Sequence, residues 1–326
     1  SAAPDELQRL IEEGVAGVVG AASSGVTGSI LPTAVQNEIV LTTPASTSPA
    51  LTERENDGFF FRVPPPDSLQ GQAMAQLLAD DGCEDINILA VNNDYGTGFA
   101  ETLESAYTAG ATNTVFYDED AASFDTEISQ ATSGDFSALV FIGYPGQATP
   151  MMTSLLNNGR LGDFPIYFSE GVKDPAFIND VGNGPSGNPA LAGFQGTTPA
   201  GNTNATADFK AEFEEAYDHA PGLFAAESYD AAMYMLLAIH DAGTDDPAVW
   251  KSSMQRVANP PGVQTSDVDQ ALTLLSAGQD IDWIGAASDL TWDERGEVTS
   301  GTYAFWSVAE DGTIEEGDPF TVGGSN

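Results

Sequence analysis

The sequence has 326 residues, 41% of them hydrophobic, which suffices for two ordinary domains or one large one with full cores and excludes disorder as the default state. Nine Lys and Arg stand against 49 Asp and Glu, a formal net charge of −40; that excess of anions excludes recognition of a nucleic-acid backbone and adhesion to an anionic membrane surface. The longest apolar runs, Ile86–Val91 and Met233–Ile239, fall well short of the roughly 18 residues a membrane span requires.

Pro4–Glu13 carries Leu7, Leu10 and Ile11 at helical spacing, Gly14 closes that helix, and Val15–Val19 reads as a buried strand. The alternation continues with the apolar stretch Glu38–Leu41, the amphipathic run Ser68–Ala79, the strand Ile86–Val91, the run Gly98–Ala109 and the strand Thr114–Tyr117. Then come the run Thr126–Ala131, the strand Ala138–Ile142, the run Ala148–Leu155 and the strand Ile166–Phe168. Short strands separated by helical runs are the mark of right-handed βαβ crossovers onto a parallel sheet, so the expected class is α/β. Beyond Ala205 the helical patterns Ala207–Tyr217, Glu227–Ala242, Pro247–Val257 and Val268–Ser276 follow one another, and the sheet is expected to be interrupted there. Thr302–Val308 returns to strand alternation, and the turn signal Glu310-Asp311-Gly312 before Ile314 predicts a closing β-hairpin. Arg62–Asp67, with three successive prolines, and Gly193–Gly201 show neither helix nor strand character and are read as crossings between two lobes.

The acids are scattered, as in Glu12-Glu13, Asp80-Asp81, Glu214-Glu215 and Asp245-Asp246, rather than gathered into an interaction tail. At molar salt the screening length falls to roughly 3 Å and such a surface becomes tolerable. Adaptation to salt is the expected reading, a basic partner the other. The single cysteine, Cys83, cannot form an internal disulfide and reads as a small core residue. Two histidines, His219 and His240, cannot build a zinc site by themselves, and no metal or other cofactor is expected.

Five segments put chemistry at the carboxyl ends of strands, where open α/β sheets bind ligands. Gly20-Ala21-Ala22-Ser23-Ser24-Gly25 opens a helix and offers N–H and hydroxyl donors suited to a carboxylate, the plain alternative being a serine N-cap. Neither GxGxxG nor GxxxxGK[ST] occurs there, which counts against a nucleotide, and GxSxG is absent. The others are the hydroxyl-rich Thr42–Pro49, Asn92–Gly98 with Tyr95, Gly143–Gly146 with Tyr144, and Ser169–Val172 with Glu170.

Taken in order, GAASSG (Gly20–Gly25), TTPASTSPALT (Thr42–Thr52), FRVPPPDSLQG (Phe61–Gly71), NNDYGTGF (Asn92–Phe99), SEGV (Ser169–Val172), AAESYDAAMYMLLAI (Ala225–Ile239) and the closing TWDERGEVTSGTYAFWSV (Thr291–Val308) resemble the branched-chain amino-acid-binding family of ABC-transporter solute receptors. The resemblance implies the type I periplasmic-binding fold: two Rossmann-like lobes joined by a three-stranded hinge, with ligand in the interlobe cleft and closure by hinge motion. Lobe one is expected from residues 1–63 and 198–299, lobe two from 64–197 and 300–326. Family members begin with a further βαβ segment that this sequence does not contain, so lobe one is expected to be incomplete at its start.

Carried over by position, the resemblance makes Ser23 and Thr47 donors to a ligand carboxylate, Ala45 a backbone acceptor for its ammonium, and Glu170 the carboxylate that meets the ammonium. Tyr95 and Tyr144 are expected to close over the ligand, Phe224 to wall its side chain, and Ala21 to leave a roomier pocket than the larger residue of the family's archetype. The logic is physical as well: a buried zwitterion needs one fixed anion at its amino end and dipoles at its carboxylate end. The expected protein is not an enzyme and has no catalytic residue. It is an exported receptor, extracellular or at the cell surface, for an aliphatic or otherwise apolar amino acid, with an ABC permease as partner and any lipid anchor outside this sequence. The alternative within the fold is a receptor or sensor domain for an amide, urea-like or small carboxylate ligand; a hydrolase using Ser23 or Ser24 would need a histidine within reach. Asn204-Ala205-Thr206 is a glycosylation sequon in an expected polar loop. Tyr229-Asp230 is read as packing plus a local hydrogen bond.

Overall fold

The computed structural model describes residues 2–324. They form two compact units, one from residues 2–66, 200–302 and 323–324, the other from Asp67–Pro199 and Tyr303–Val322. Each of these divisions falls a few residues beyond the expected one, and the expected tail 300–326 is split between the units; residues 1, 325 and 326 lie outside the described residues.

The first unit opens with α1 (Ala3–Glu12), β1 (Gly17–Val19), α2 (Ser24–Gln36), β2 (Val40–Thr43) and β3 (Phe60–Arg62), whose strands form a parallel sheet in the order β1-β2-β3. The second unit contains α3 (Asp67–Asp80), β4 (Ile86–Val91), α4 (Asp94–Ala106), β5 (Thr112–Tyr117), α5 (Asp125–Ala131) and β6 (Ala138–Ile142). It continues through α6 (Pro145–Asn157), β7 (Ile166–Phe168), α7 (Pro175–Val181) and β8 (Gln195–Pro199). The chain returns to the first unit for α8 (Asn204–Tyr217), α9 (Ala225–Ala242), α10 (Pro247–Ala258), β9 (Val263–Thr265), α11 (Val268–Ser276) and β10 (Ile281–Trp283). It ends on β11 (Ser300–Val308), β12 (Ile314–Glu316) and β13 (Phe320–Gly323).

Side chains alternate across a strand, so neighbouring residues of β2 and β3 enter different cores. Val40 and Phe61 join Tyr234, Trp250, Trp283 and Trp292 on one face, while Leu41 and Phe60 join Leu7, Ile30 and Leu31 on the other. Helices thus cover both faces of β2 and β3, every residue of which is buried, whereas β1, expected as a buried strand, is only half-buried and ends on the exposed Val19. In the second unit β8, β7, β6, β4 and β5 lie side by side and parallel, β11 runs antiparallel to β8, and β12 and β13 both pair with β11. Every residue of β4 and of β6 is buried.

Several elements depart from expectation for identifiable reasons. Helix α4 begins at Asp94 because the Asn93 side chain accepts the N–H groups of Tyr95 and Gly96, each at 3.1 Å. Helix α6 begins at Pro145, whose fixed φ suits a first helical position. The expected crossings Arg62–Asp67 and Gly193–Gly201 each contain a division between the units, after Pro66 and after Pro199, but the second also holds a strand, β8, where no strand was expected. The interruption expected after residue 205 holds a parallel pair of strands, β9 and β10. The sequon begins a helix instead of lying in a loop: Thr203 caps α8, and its hydroxyl accepts the Thr206 N–H at 3.1 Å.

Leu139 in β6 is wholly buried, whereas Val19 on β1 is 42% exposed. Leu139→Ala should cost about 2–5 kcal/mol of unfolding free energy and Val19→Ala within about 0.5 kcal/mol, as read by urea unfolding in molar salt. Equal costs would contradict this placement of the core.

Candidate functional site

In the first unit, two loops leave the carboxyl ends of β1 and β2. Ser23 holds the N-cap position of α2 with extended backbone (φ −80°, ψ 133°), yet its half-buried hydroxyl makes no capping bond. The N–H groups that open α2 therefore receive nothing from it, and a helix start of this kind favours an anion. The second loop locks onto the first through the Ala21 carbonyl, which accepts the hydroxyls of Thr43 at 2.7 Å, Ser46 at 3.0 Å and Thr27 at 3.2 Å. The Ala21 N–H donates to Thr27 Oγ1 at 3.1 Å, and the Ser48 N–H to Ser24 Oγ at 3.2 Å. Ala45 is half-buried, and among the described residues its carbonyl accepts no hydrogen bond. Thr47 is 1% exposed, with no hydrogen bond from its side chain to any described residue.

Arg62, at the end of β3, anchors this loop from within. It is completely buried and donates to the Ser48 carbonyl at 2.8 Å, to Thr52 Oγ1 at 2.9 Å and to Glu297 Oε1 at 2.7 Å, with Glu297 Oε2 in ion-pair contact at 2.6 Å. Its own carbonyl accepts the Trp292 indole N–H at 2.6 Å. Glu297 thus has a full cationic partner.

The second unit presents a different arrangement. From β4 the chain moves to β5 on one side and later to β6 on the other, and this reversal of strand order opens a crevice at the carboxyl ends of β4 and β6. Tyr95, in the first turn of α4, and Tyr144, at the N-cap of α6, issue from those strands and stack with centroids 5.5 Å apart and planes at 28°. Glu170 follows β7, the next strand. A Cβ on Gly171 would run into the Gly143 carbonyl oxygen and lie 3.3 Å from the Tyr95 hydroxyl, so the glycine lets these three loops converge.

Glu170 is 2% exposed, and its Oε2 accepts the Gln70 amide N–H at 2.7 Å. Among the described residues no Lys or Arg pairs with it. Burial pushes its carboxyl from 4.5 up to about 7, with the Tyr95 hydroxyl, its own backbone N–H and Gln70 pulling weakly the other way. The buried Tyr95 hydroxyl and Ser169 Oγ nevertheless make no hydrogen bond of normal geometry, and burial beside Glu170 pushes the Tyr95 phenol well above its ordinary range. Because the native carboxyl keeps its proton to about 7 and the unfolded one loses it near 4.5, Glu170 favours the fold below about pH 4.5. That contribution is lost as pH rises through about 7.

The remaining residues fall outside these clusters. Phe224 stands at the N-cap of α9 in left-handed backbone (φ 60°, ψ 16°), half-buried, with no ring or hydrogen-bond contact from its side chain to the Ser23 or Ala45 loops. His219 meets the Ala220 carbonyl and His240 the Ser276 hydroxyl, so neither serves Ser23 or Ser24 as a base. Asp230 is buried and accepts the N–H groups of Ala286 and Ala287 at 2.8 and 2.7 Å, a packing role, while Tyr229 lies against Phe209. Surface concavities of about 630 Å³ between α3 and α4 and about 660 Å³ beside α8 contain none of the eight expected site residues.

A family model for periplasmic binding proteins matches residues 2–273. The chain belongs to the periplasmic binding protein family. It is 26% identical over 89% of its length to the chemotactic signal transduction system substrate-binding protein BasB of Halobacterium salinarum, 69% of which is covered. It is also 22% identical over 94% of its length to the Leu/Ile/Val-binding protein of Escherichia coli, with 76% of that protein covered. The fold is similar to that of the leucine-binding protein LivK of Thermotoga maritima, with a TM-score of 0.81 at 23% identity, covering 97% of this chain and 83% of that one. This is the type I periplasmic-binding fold.

Within this periplasmic binding protein, sequence pattern alone does not single out Gln70, Arg62, Glu297 or Thr27, and it marks Thr43 and Ser46 only as members of the hydroxyl-rich Thr42–Pro49. Arg62 was read as the start of a linker, although its position behind Phe59-Phe60-Phe61 was a signal for burial. Arg62→Met should destabilise by about 3–5 kcal/mol in chemical unfolding because it strands the Glu297 charge, and Arg62→Met with Glu297→Leu should recover most of that loss. A single variant as stable as the parent would contradict the pairing.

Proposed function

We propose that this protein is an exported receptor that captures an aliphatic or otherwise apolar amino acid and delivers it to an ABC permease. One observation carries the reading: Glu170 is a buried carboxylate whose bonded side-chain partner is a neutral amide. A primary ammonium supplies the missing charge, whereas an amide or urea would leave the carboxylate uncompensated. In this reading the Ser23 hydroxyl, Thr47 and the opening N–H groups of α2 take the ligand carboxylate, and the Ala45 carbonyl takes an ammonium hydrogen. Tyr95 and Tyr144 cover the ligand, while Phe224 and Ala21 bound its side chain.

The names of the relatives support the same ligand class. Proteins of similar sequence are called Leu/Ile/Val-binding, and structural neighbours were solved with isoleucine and with leucine. The name of BasB favours a second destination, a chemotactic transducer, which would use the same capture step. A net charge of −40 fits work in concentrated salt.

In molar salt, aliphatic amino acids should raise the melting temperature selectively over amides and small carboxylates. Glu170→Gln should weaken amino-acid binding by about 2–5 kcal/mol in calorimetry. Unchanged affinity in that variant would overturn the assignment.

A further inference from the structure

We infer that Gln70 is a positioning residue for ligand recognition: its amide fixes the Glu170 carboxylate while leaving that carboxylate's demand for a cation to be met by the ligand. The inference rests on the receptor reading above and adds to it a residue that touches no ligand. Gln70 is wholly buried in α3. Its Nε2 lies 2.7 Å from Glu170 Oε2, 3.1 Å from Thr197 Oγ1 and 3.3 Å from the Thr197 carbonyl. The Thr197 carbonyl is held in turn by the Trp306 indole N–H at 3.2 Å, and that indole stacks on Phe168 at 6.1 Å. The carboxylate is thereby fixed to the backbone of β8 through one amide.

The chemistry of the amide is what matters. Its orientation is set by its neighbours, since turning it over would bring Oε1 against an anionic carboxylate and a carbonyl. Oε1 itself is buried and has no partner among the described residues, so the side chain gives up one acceptor bond to keep Nε2 on Glu170. A guanidinium at this position would satisfy the carboxylate and close the site to a ligand cation, which is how Arg62 treats Glu297. An apolar residue would leave Glu170 unheld and favour its protonated form. A neutral donor gives orientation without neutralisation.

The test compares two ligands that differ only at the recognised group, leucine and its deaminated analogue 4-methylpentanoate, by calorimetry with the full chain in molar salt. Gln70→Leu should weaken leucine binding by about 10- to 100-fold, the loss of one hydrogen bond to a charged group, and leave affinity for the analogue within about twofold. In a Glu170→Gln background the same substitution should change leucine affinity less than about threefold. Gln70→Glu, which sets a second anion beside the first, should keep leucine binding but raise the pH at which it is half-maximal. Equal losses for leucine and analogue, or an undiminished effect in the Glu170→Gln background, would overturn the positioning role. A parent protein that binds no amino acid would overturn the receptor reading itself; a parent that binds leucine as well as the Gln70→Leu variant does would overturn only this inference.

Discussion

A carboxylate taken out of water must either find a positive charge or surrender its own, and Glu170 faces that choice with no cation supplied among the described residues. The contrast with Glu297 is instructive. Both are almost fully buried, but Glu297 meets the Arg62 guanidinium in an ion pair and is finished as a structural element, while Glu170 meets an amide and stays incomplete. In a chain with nine basic side chains and 49 acidic ones, the placement of each cation carries weight. The fold puts one of them under the Ser46–Ser48 loop, and the cation of the β7 loop, Lys173, pairs with Glu316 and not with Glu170.

The supports of the two clusters follow the same division. In the first unit, hydroxyls converge on the Ala21 carbonyl and pin two loops together, so that the Ser23 hydroxyl and the start of α2 are held by neighbours that do not themselves consume them. In the second, the reversal of strand order at β4 and β6 stations two tyrosines, and Gly171 brings the Glu170 turn against the Gly143 loop and the Tyr95 hydroxyl. Rigid strands buried on both faces fix the loop origins, and the loops carry the chemistry. Burial pushes the Glu170 carboxyl up toward about 7, so pairing with an ammonium would pull it back toward the ionised form.

Much of the fold was legible because its strands are apolar runs of the right length: Ile86–Val91, Ala138–Ile142 and Ile166–Phe168 stand where their composition put them. Helix starts were less legible, since Asn93 and Thr203 extend α4 and α8 toward their N-termini by side-chain caps that periodicity does not register. Strand β8 was missed for a physical reason. Its glycine and threonines read as linker, yet Gly196 is there because a Cβ would crowd the Phe168 carbonyl and the Trp306 ring, and Thr197 and Thr198 are wholly buried. Resemblance pointed to Ser23, Ala45, Tyr95 and Glu170, whereas Gln70 and Arg62 act through contacts distant in sequence and only three-dimensional packing exposes them.

The most direct measurement of the central claim is the number of protons exchanged when leucine binds, from calorimetry at one pH in buffers of different ionisation enthalpy. With the Glu170 carboxyl raised to about 7 before binding and ionised afterwards, binding should release most of a proton at pH 6 and little of one at pH 8, with affinity rising between them. Binding without proton release at pH 6, or affinity that falls as pH rises, would mean that Glu170 meets the ligand as a neutral donor or not at all, and would contradict the account.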